Sequence, residues 1–571
     1  MFKPYLPKLI NWLDQHLLLL LSALLLAFIP LYPKIPLFEA IPGYLVRIRL
    51  EDFLVLFTVV IWLIQLKRQQ LFFHHPLLKA ITIYAVVGFL SVLSAVIITK
   101  TVPFQTNDWL HLTKTLLHYL RYLEYFSLSF ILFNSIKSKQ DLYLLLTVFC
   151  LTVIAVSVYG FGQKYYYWPV YSTMNREFSK GIRLYLTEHA RVQSTFGGHY
   201  DLAAFLVISL TIILALAFKL KNNLVKLALH LTHLLGLWLL MASASRTSFI
   251  AYVFASGITL IIITWSKAKW QLRVKWLVSR SLGLVVIWTM MVYFFGGDMY
   301  ERFLQTLQGY PQFDQLYHRL NDQRQQTLNW VIATIKLDQV SVFKGYKPEN
   351  AISLEEAVQL EQQQVVVSSD QRPVPVKPGD KPSDVYVDVP DYVKVATTSA
   401  SGETVYEIIE QPRTWSENAQ VHGLSFGIRL DALWPQAIQG FLQNPLLGSG
   451  YATLNKKGVS HFTEAESTDN NFLRILGETG LLGFISFYGI IILALVKAAQ
   501  LLKSSDQLTK GLATGFIAAT LGLLVNAGFI DVFAASKVAF TYWALTGMIM
   551  ALYLLETNPK IIKKSTQKKL H

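Results

Sequence analysis

Four charged side chains stand out in a chain that has few of them: Arg191 in ARVQSTFGGHYDLAAF, Arg246 in MASASRTSFIAY, Arg429 in GIRLDALW and Asp469 in STDNNFL. Guanidinium groups are planar, stay charged and match phosphate oxygens two at a time, so three arginines drawn to one place could clamp a diphosphate as charge accumulates on it. A carboxylate beside them could take the proton of an attacking hydroxyl, which need leave only in the transition state. His461, Glu464 and Glu466 lie in the same loop as Asp469 and are the alternates for that role.

Each of these residues also has a plainer reading. Arg246 ends one apolar run and begins another, where it could snorkel to headgroups, although the small residues around it would let helices close on it. Arg191 could anchor a headgroup, and Arg429, beside Asp431 on an amphipathic helix, could be an interfacial charge. Asp469 precedes a helix expected to begin at Asn470, the favoured N-cap position, which would lower its pKa. His199 and His422 read as polar loop residues, and Glu478 as structural.

Metal chemistry is disfavoured: no two aspartates stand two apart, and the single cysteine, Cys150, lies in an apolar run. Glu51-Asp52 and Glu464-x-Glu466 are the weaker metal candidates. No P-loop word is present, and no cofactor is called for.

The elements that must position these residues are membrane spans. With 53% hydrophobic and 15% charged residues among 571, the chain cannot be an ordinary soluble protein. Runs long enough to cross roughly 30 Å of hydrocarbon fall at about 17–33, 47–66, 79–99, 116–134, 142–162, 201–218, 224–242, 247–265, 281–296, 480–499, 509–530 and 535–555. The fold expected is an all-α polytopic membrane protein of about 12 transmembrane helices, the first retained because no cleavage pattern follows it.

Lysine and arginine in short loops set the orientation. A cytoplasmic N-terminus puts Lys67 and Arg68, Lys137 and Lys139, Lys219, Lys221 and Lys226, the 267–280 group, and Lys503 and Lys510 inside. The basic tail, 556–571, then rests on anionic membrane lipids at about 1 kcal/mol per lysine, which accounts for the positive charge with no nucleic acid partner. Domains follow: 1–296 with nine spans and an outer loop at 163–200, a large extracytoplasmic loop at 297–480, and 481–555 with three spans. Inside the large loop, an insertion at about 337–415 holds thirteen acidic and seven basic residues, a net −6 against +15 for the whole chain. It is linker-like in part, and its valine-rich pieces VYVDV and YVKVATT could pair as a small hairpin.

The catalytic helical segment, 421–480, is the densest in polar chemistry. Leu430, Leu433, Trp434, Ala437, Ile438, Phe441 and Leu442 recur at helical spacing up to the Asn444-Pro445 stop, with Pro435 kinking the first turns. The loop NPLLGSGY follows, then a short helix from Asn470 to Leu476, the Gly477-Glu478-Thr479-Gly480 break, and a span. Those words in that order resemble the O-antigen ligase and O-antigen polymerase superfamily over about seventy residues, and the insertion lies outside the resemblance.

The resemblance implies a GT-C-like membrane glycosyltransferase working at the outer face of the cytoplasmic membrane. Its donor would be a glycan linked to a polyprenyl diphosphate such as undecaprenyl diphosphate, and its acceptor a glycan, lipid or protein. Arg246 and Arg429 match the family's arginines on the donor diphosphate, and Arg191 a third. Ligases of the family carry histidine where this chain has Asp469, so the DN word leans toward polymerase relatives. A transporter of lipid-linked saccharides would share the spans and intramembrane cations, but the long outer loop and lack of a repeat favour the enzyme.

Overall fold

The computed structural model describes residues 5–39, 47–69, 74–104, 109–174, 178–186, 190–265, 269–297, 299–300, 319, 322–324, 326–327, 391–398, 404–411, 424–455 and 467–558. Each of the twelve apolar runs falls on a helix, six of them reaching one to three residues past its ends. These are α1 (Tyr5–Leu31), α2 (Leu50–Gln69), α3 (Leu78–Ile97), α4 (Leu110–Ser135), α5 (Lys139–Tyr166), α6 (His199–Lys219), α7 (Asn223–Ala242), α8 (Arg246–Trp265), α9 (Trp270–Phe295) and, after the large loop, α12 (Asn471–Leu501), α13 (Gln507–Ala527) and α14 (Ser536–Thr557).

Among the described residues, nine of them are long and apolar enough to cross a membrane: α3, α5 to α9 and α12 to α14. The other three fall short for physical reasons. The apolar part of α1 is His16–Leu31, α2 carries Glu51, Asp52, Lys67 and Arg68, and α4 carries Lys114, Arg121 and Glu124. Part of this charge is matched inside the bundle, where Arg121 reaches Asp52 at 2.6 Å and Glu124 at 2.8 Å.

The most enclosed helices are α6 and α14. Helix α6 packs on α13, α7 and α8, and α14 on α4. Hydroxyls on the buried helices bond back to their own ladder, as Ser209 does to the Phe205 carbonyl and Thr546 to that of Tyr542, which satisfies them without water. Ser248 of α8 and Asn526 of α13 hydrogen-bond each other at 3.0 Å, and His233 of α7 meets the Tyr252 hydroxyl at 2.6 Å.

Ion pairs and lysine contacts tie the helix ends. At one end Lys34 Nζ lies 2.7 Å from Glu51 Oε1 and 2.6 Å from Ser536 Oγ, and Lys537 Nζ donates to the carbonyls of Pro30, Tyr32 and Thr195. At the other, Lys139 bridges Asp506 at 3.2 Å and Glu556 at 2.9 Å. The residues with candidate chemistry fall at the first end.

Within the insertion, β3 (Asp391–Thr398) pairs antiparallel with β4 (Thr404–Gln411), Asp391 opposite Gln411 and Thr398 opposite Thr404. The YVKVATT piece therefore lies in a hairpin with the segment that follows it, while VYVDV lies outside the described residues. The only other strands among the described residues are the two-residue pair β1 (Phe38–Glu39) and β2 (Arg47–Ile48).

The segment before α12 begins with α10 (Leu424–Ile428), passes through a π turn (Arg429–Leu433), and continues as α11 (Trp434–Gln443). The helix expected at Asn470 to Leu476 is not separate: α12 runs from Asn471 to Leu501 with one non-helical residue, Gly480, at φ +65°. That break strands two carbonyls and two N–H groups, and the NPLLGSG loop takes up all four. Ser449 N–H donates to Gly477 O and Gly450 N–H to Glu478 O, each at 2.9 Å, while Leu481 and Leu482 donate to Pro445 O and Leu446 O at 2.8 and 3.2 Å. Ser91 of α3 adds a bond to Glu478 O, and Tyr451 is buried among Tyr84, Tyr119 and Tyr122. A broken helix within an apolar bundle is tolerated only when its backbone is satisfied in this way.

A Cβ at Gly480 would sit 2.4 Å from the Leu446 carbonyl carbon, in a backbone region that L-residues avoid. Gly480→Ala is therefore expected to lower the thermal unfolding midpoint in detergent by an amount equivalent to about 2 kcal/mol or more. Gly489→Ala, at a helical position with open space around it, should be neutral or stabilising by up to about 1 kcal/mol.

Candidate active site

The π turn exists because Pro435 has no N–H for the ladder, and the Trp434 N–H reaches back five residues to the Arg429 carbonyl instead. The extra residue turns Arg429 inward. Its side chain is 9% exposed, and Nη2 lies 3.0 Å from Asp469 Oδ2 and 3.3 Å from the Phe529 carbonyl. The interfacial reading of Arg429 is thus replaced by a buried cation facing a carboxylate.

Asp469 is not the helix cap. Asn470 is, its side chain accepting from the Leu473 N–H at 3.1 Å, while Asp469 stands one residue earlier with φ +50°. The lowered pKa expected of a cap is reversed as well. Burial, then the charge of Asp531, raises the Asp469 carboxyl above its ordinary value, against the opposing pull of Arg429 and the Ser467 hydroxyl. A third of its side chain stays exposed, so a ligand can reach it.

Asp531, in the turn between α13 and α14, holds the Asp469 loop in place. It accepts hydrogen bonds from Ser467 Oγ and Thr468 N–H at 2.8 Å, Asn470 N–H at 3.1 Å and Arg474 Nη1 at 2.9 Å. Arg474 Nε lies 3.4 Å from Glu478, and Glu478 accepts the Ala452 N–H at 3.1 Å. Asp531, Arg474 and Glu478 thereby join the Asp469 loop to the glycine loop, which gives Glu478 the structural place expected of it.

Arg191 and Arg246 form the second cluster. Arg191 Nη1 bonds to His199 Nε2 and, at 3.3 Å, to the Tyr200 hydroxyl. His199 is the first residue of α6, not a loop residue. Arg246, at the start of α8, lies within electrostatic reach of Arg191 and Tyr200. The Val192 N–H donates to the Ala242 carbonyl and so fixes the two arginine loops together. Asp201, in the first turn of α6, is within electrostatic reach of Asp469 and Asp531 and of Lys34 and Lys537.

Backbone strain gathers in the same loops. Among the described residues six non-glycine residues have left-handed φ, and four of them, Ser194, Ala244, Ala452 and Asp469, flank Arg191, Arg246, the glycine loop and the carboxylate itself. Each is held at a cost of about 1–2 kcal/mol, and such outliers concentrate where a side chain must be aimed.

The alternates His461, Glu464 and Glu466, together with His422, lie outside the described residues. Glu51 and Asp52 each face a cation, Lys34 and Arg121, and among the described residues no three His, Cys, Asp or Glu side chains gather as a metal-ligand set. Sequence reasoning passed over Asp531, Arg474, Asp201, Lys34 and Lys537. The available signal was an ionisable residue in or beside an apolar run.

Residues 392–488 match the family model described as O-antigen ligase. The match begins inside the insertion, so it takes in the β3–β4 hairpin that the motif words alone had left out. No curated protein matches the chain.

Three substitutions separate holding from chemistry. Asn470→Ala should cost about 1 kcal/mol in thermal unfolding, and Asp531→Ala about 3–5 kcal/mol, because Arg474 would lose a buried partner. Ala244→Gly should raise stability by about 1 kcal/mol through relief of strain. Equal, small shifts for all three would contradict the assigned roles.

Proposed function

We propose that this protein is a membrane glycosyltransferase that transfers a glycan from a polyprenyl diphosphate to a sugar hydroxyl, acting as a polysaccharide polymerase. The observation that carries this reading is the Arg429–Asp469 contact: an arginine and an accessible carboxylate 3.0 Å apart, inside the segment that matches the ligase family. Ligation of a finished glycan to lipid or protein is the second choice, because the polymerase assignment rests on Asp469 standing where ligases of the family carry histidine.

In the proposed reaction the acceptor oxygen attacks the anomeric carbon on the face opposite the diphosphate. The carbon–oxygen bond to the diphosphate breaks, its electron pair leaves on the diphosphate oxygen, and the hydroxyl proton passes to Asp469. Arg429, Arg246 and Arg191 bind the phosphate oxygens and stabilise the charge that develops there, at a site where positioned donors act without reorganising. Guanidinium groups supply the positive charge, and activity should survive EDTA.

Arg429 couples the two halves of the reaction. Before the donor binds, its charge holds the Asp469 proton off. When diphosphate takes the guanidinium, Asp469 loses that support, its pKa rises further, and it becomes a stronger base at the moment a base is needed.

Turnover by purified variants of matched thermal stability tests this. Arg246→Ala and Arg429→Ala should each lower it by about 10²–10³, with lysine a poor substitute because it lacks the fork. Asp469→Asn and Asp469→Ser leave the Asn470 cap intact and should lose about 10²–10⁴, whereas full activity in Asp469→Asn would refute the base.

A pH profile gives a separate check. The base works as carboxylate, so activity falls as pH drops through its folded pKa, and because that pKa is raised the acid limb should lie above the ordinary aspartate value of about 3.9. Arg429→Gln removes a lowering influence and should move the limb of the residual activity to higher pH. An unmoved limb would show that another group titrates.

A further inference from the structure

At the end of the bundle away from Arg246 and Asp469, a cavity of about 350 Å³ opens where α6, α8 and α12 finish and α13 begins. It is lined by Lys219, Ile262, Trp265, Leu502, Lys510 and Thr514. Helix α8 starts at Arg246 and reaches this cavity with its last turn, and its 20 residues span about 30 Å. The cavity therefore lies about the thickness of the hydrocarbon core from the candidate active site.

Close helix packing brings two cations to it. Helices α6 and α13 approach so tightly at Gly511 that a Cβ there would lie 3.2 Å from the Lys219 side chain. Lys219, the last residue of α6, thus comes beside Lys510 in the first turns of α13. No carboxylate lines the cavity. Asp506 and Glu556, at the same end, pair with Lys139, and the half-buried Lys510 ammonium has no ion-pair or hydrogen-bond partner among the described residues. Thr514 is fully buried and its hydroxyl has no partner, although Thr520 on the same helix bonds back to the Phe516 carbonyl at 2.8 Å. Two ammonium groups and an unmet hydroxyl around a space without a carboxylate suit an anion whose oxygens accept from them.

The other walls fix what carries the anion. Ile262, Trp265 and Leu502 are apolar, and Trp265 is 72% exposed, on the same outward face of α8 as the exposed Phe254 and Ile261. Tryptophan at the end of an apolar span marks the level where hydrocarbon gives way to headgroups. The cavity thus opens on lipid, with cations at headgroup level and apolar walls beside them, which fits an amphiphile and not a soluble anion.

We propose that this cavity binds the phosphodiester headgroup of an anionic membrane lipid such as phosphatidylglycerol. Lys219 and Lys510 hold the phosphate, Thr514 offers its hydroxyl to a headgroup oxygen, and an acyl chain follows Ile262 and Trp265. The lysine bias makes this the cytoplasmic leaflet, where a basic pocket between spans suits such a lipid. Bound there, the lipid clips four helix ends together, among them that of α13, which runs from this cavity toward the Asp531 turn. The inference is independent of the glycan-transfer reading, since no residue of the candidate active site lines the cavity.

The test uses the full chain in phosphatidylcholine nanodiscs and a phosphatidylglycerol bearing a diazirine near the top of one acyl chain. Crosslinks are expected at 262–265 and 502–514, and unlabelled phosphatidylglycerol should compete where inorganic phosphate does not. Lys219→Gln and Lys510→Gln together should lower this crosslinking about tenfold or more, and Lys510→Arg should keep it. Lys503→Gln, at an exposed lysine of the same end that does not line the cavity, should leave it unchanged. In detergent, added phosphatidylglycerol should raise the thermal unfolding midpoint of the wild type by several degrees and that of the double variant not at all. Crosslinks spread evenly around the bundle, or an equal loss in Lys503→Gln, would reduce the lysines to general surface charge and overturn the site. Competition by inorganic phosphate would assign the cavity to a soluble anion, and stronger competition by a polyprenyl phosphate would assign it to an isoprenoid carrier; either overturns the phospholipid.

Discussion

The site depends on a helix that stops being a helix for one residue. At Gly480 the ladder of α12 breaks, and the four backbone groups it releases are taken up by the loop from Asn444 to Gly450. In an apolar bundle such groups have no other partner, so the loop and the break determine one another. The glycines at 448, 450 and 480 all have left-handed φ, the conformation this close backbone exchange requires. The turn before the break is tied to the glycine loop at this junction, and Arg474 and Asp531 link it to the Asp469 loop.

Two kinds of charge surround it. Asp531, Arg474 and Glu478 are buried and paired with one another, and they hold loops. Arg429 and Asp469 also face each other, but Asp469 is a third exposed and its pKa is raised by burial and by Asp531, so the pair can exchange one partner for a ligand. Arg191 sits in a loop strained at Ser194, and Arg246 opens α8 just after the strained Ala244. Paired, buried charge next to strained, accessible charge is the arrangement expected when a rigid frame aims reactive groups.

The helices were legible in the sequence because uninterrupted apolar runs leave the chain no other way to satisfy its backbone. Helix α4 was recognised although it carries Arg121 and Glu124, and in the structure Arg121 pairs with both Glu124 and Asp52, which matches that charge within the bundle. The break at GETG was legible in place but not in size: two glycines suggested an interruption of four residues, and loop bonds confined it to one. Asp469 was misplaced as a cap, because its left-handed backbone sets it outside the helix and passes the cap to Asn470, with the helix running from Asn471. Asp531 and Arg474 were passed over although each is an ionisable residue in or beside an apolar run, since their pairing joins segments distant in sequence.

The most direct test of the account is made on the unmodified protein in proteoliposomes supplied with a polyprenyl diphosphate glycan labelled in both the lipid and the sugar. The account predicts that the labels part: free polyprenyl diphosphate accumulates in step with labelled glycan joined to a hydroxyl acceptor, and longer chains appear when the acceptor is itself a lipid-linked repeat. Labels that stay together while the intact glycolipid crosses the bilayer would contradict it and identify a transporter.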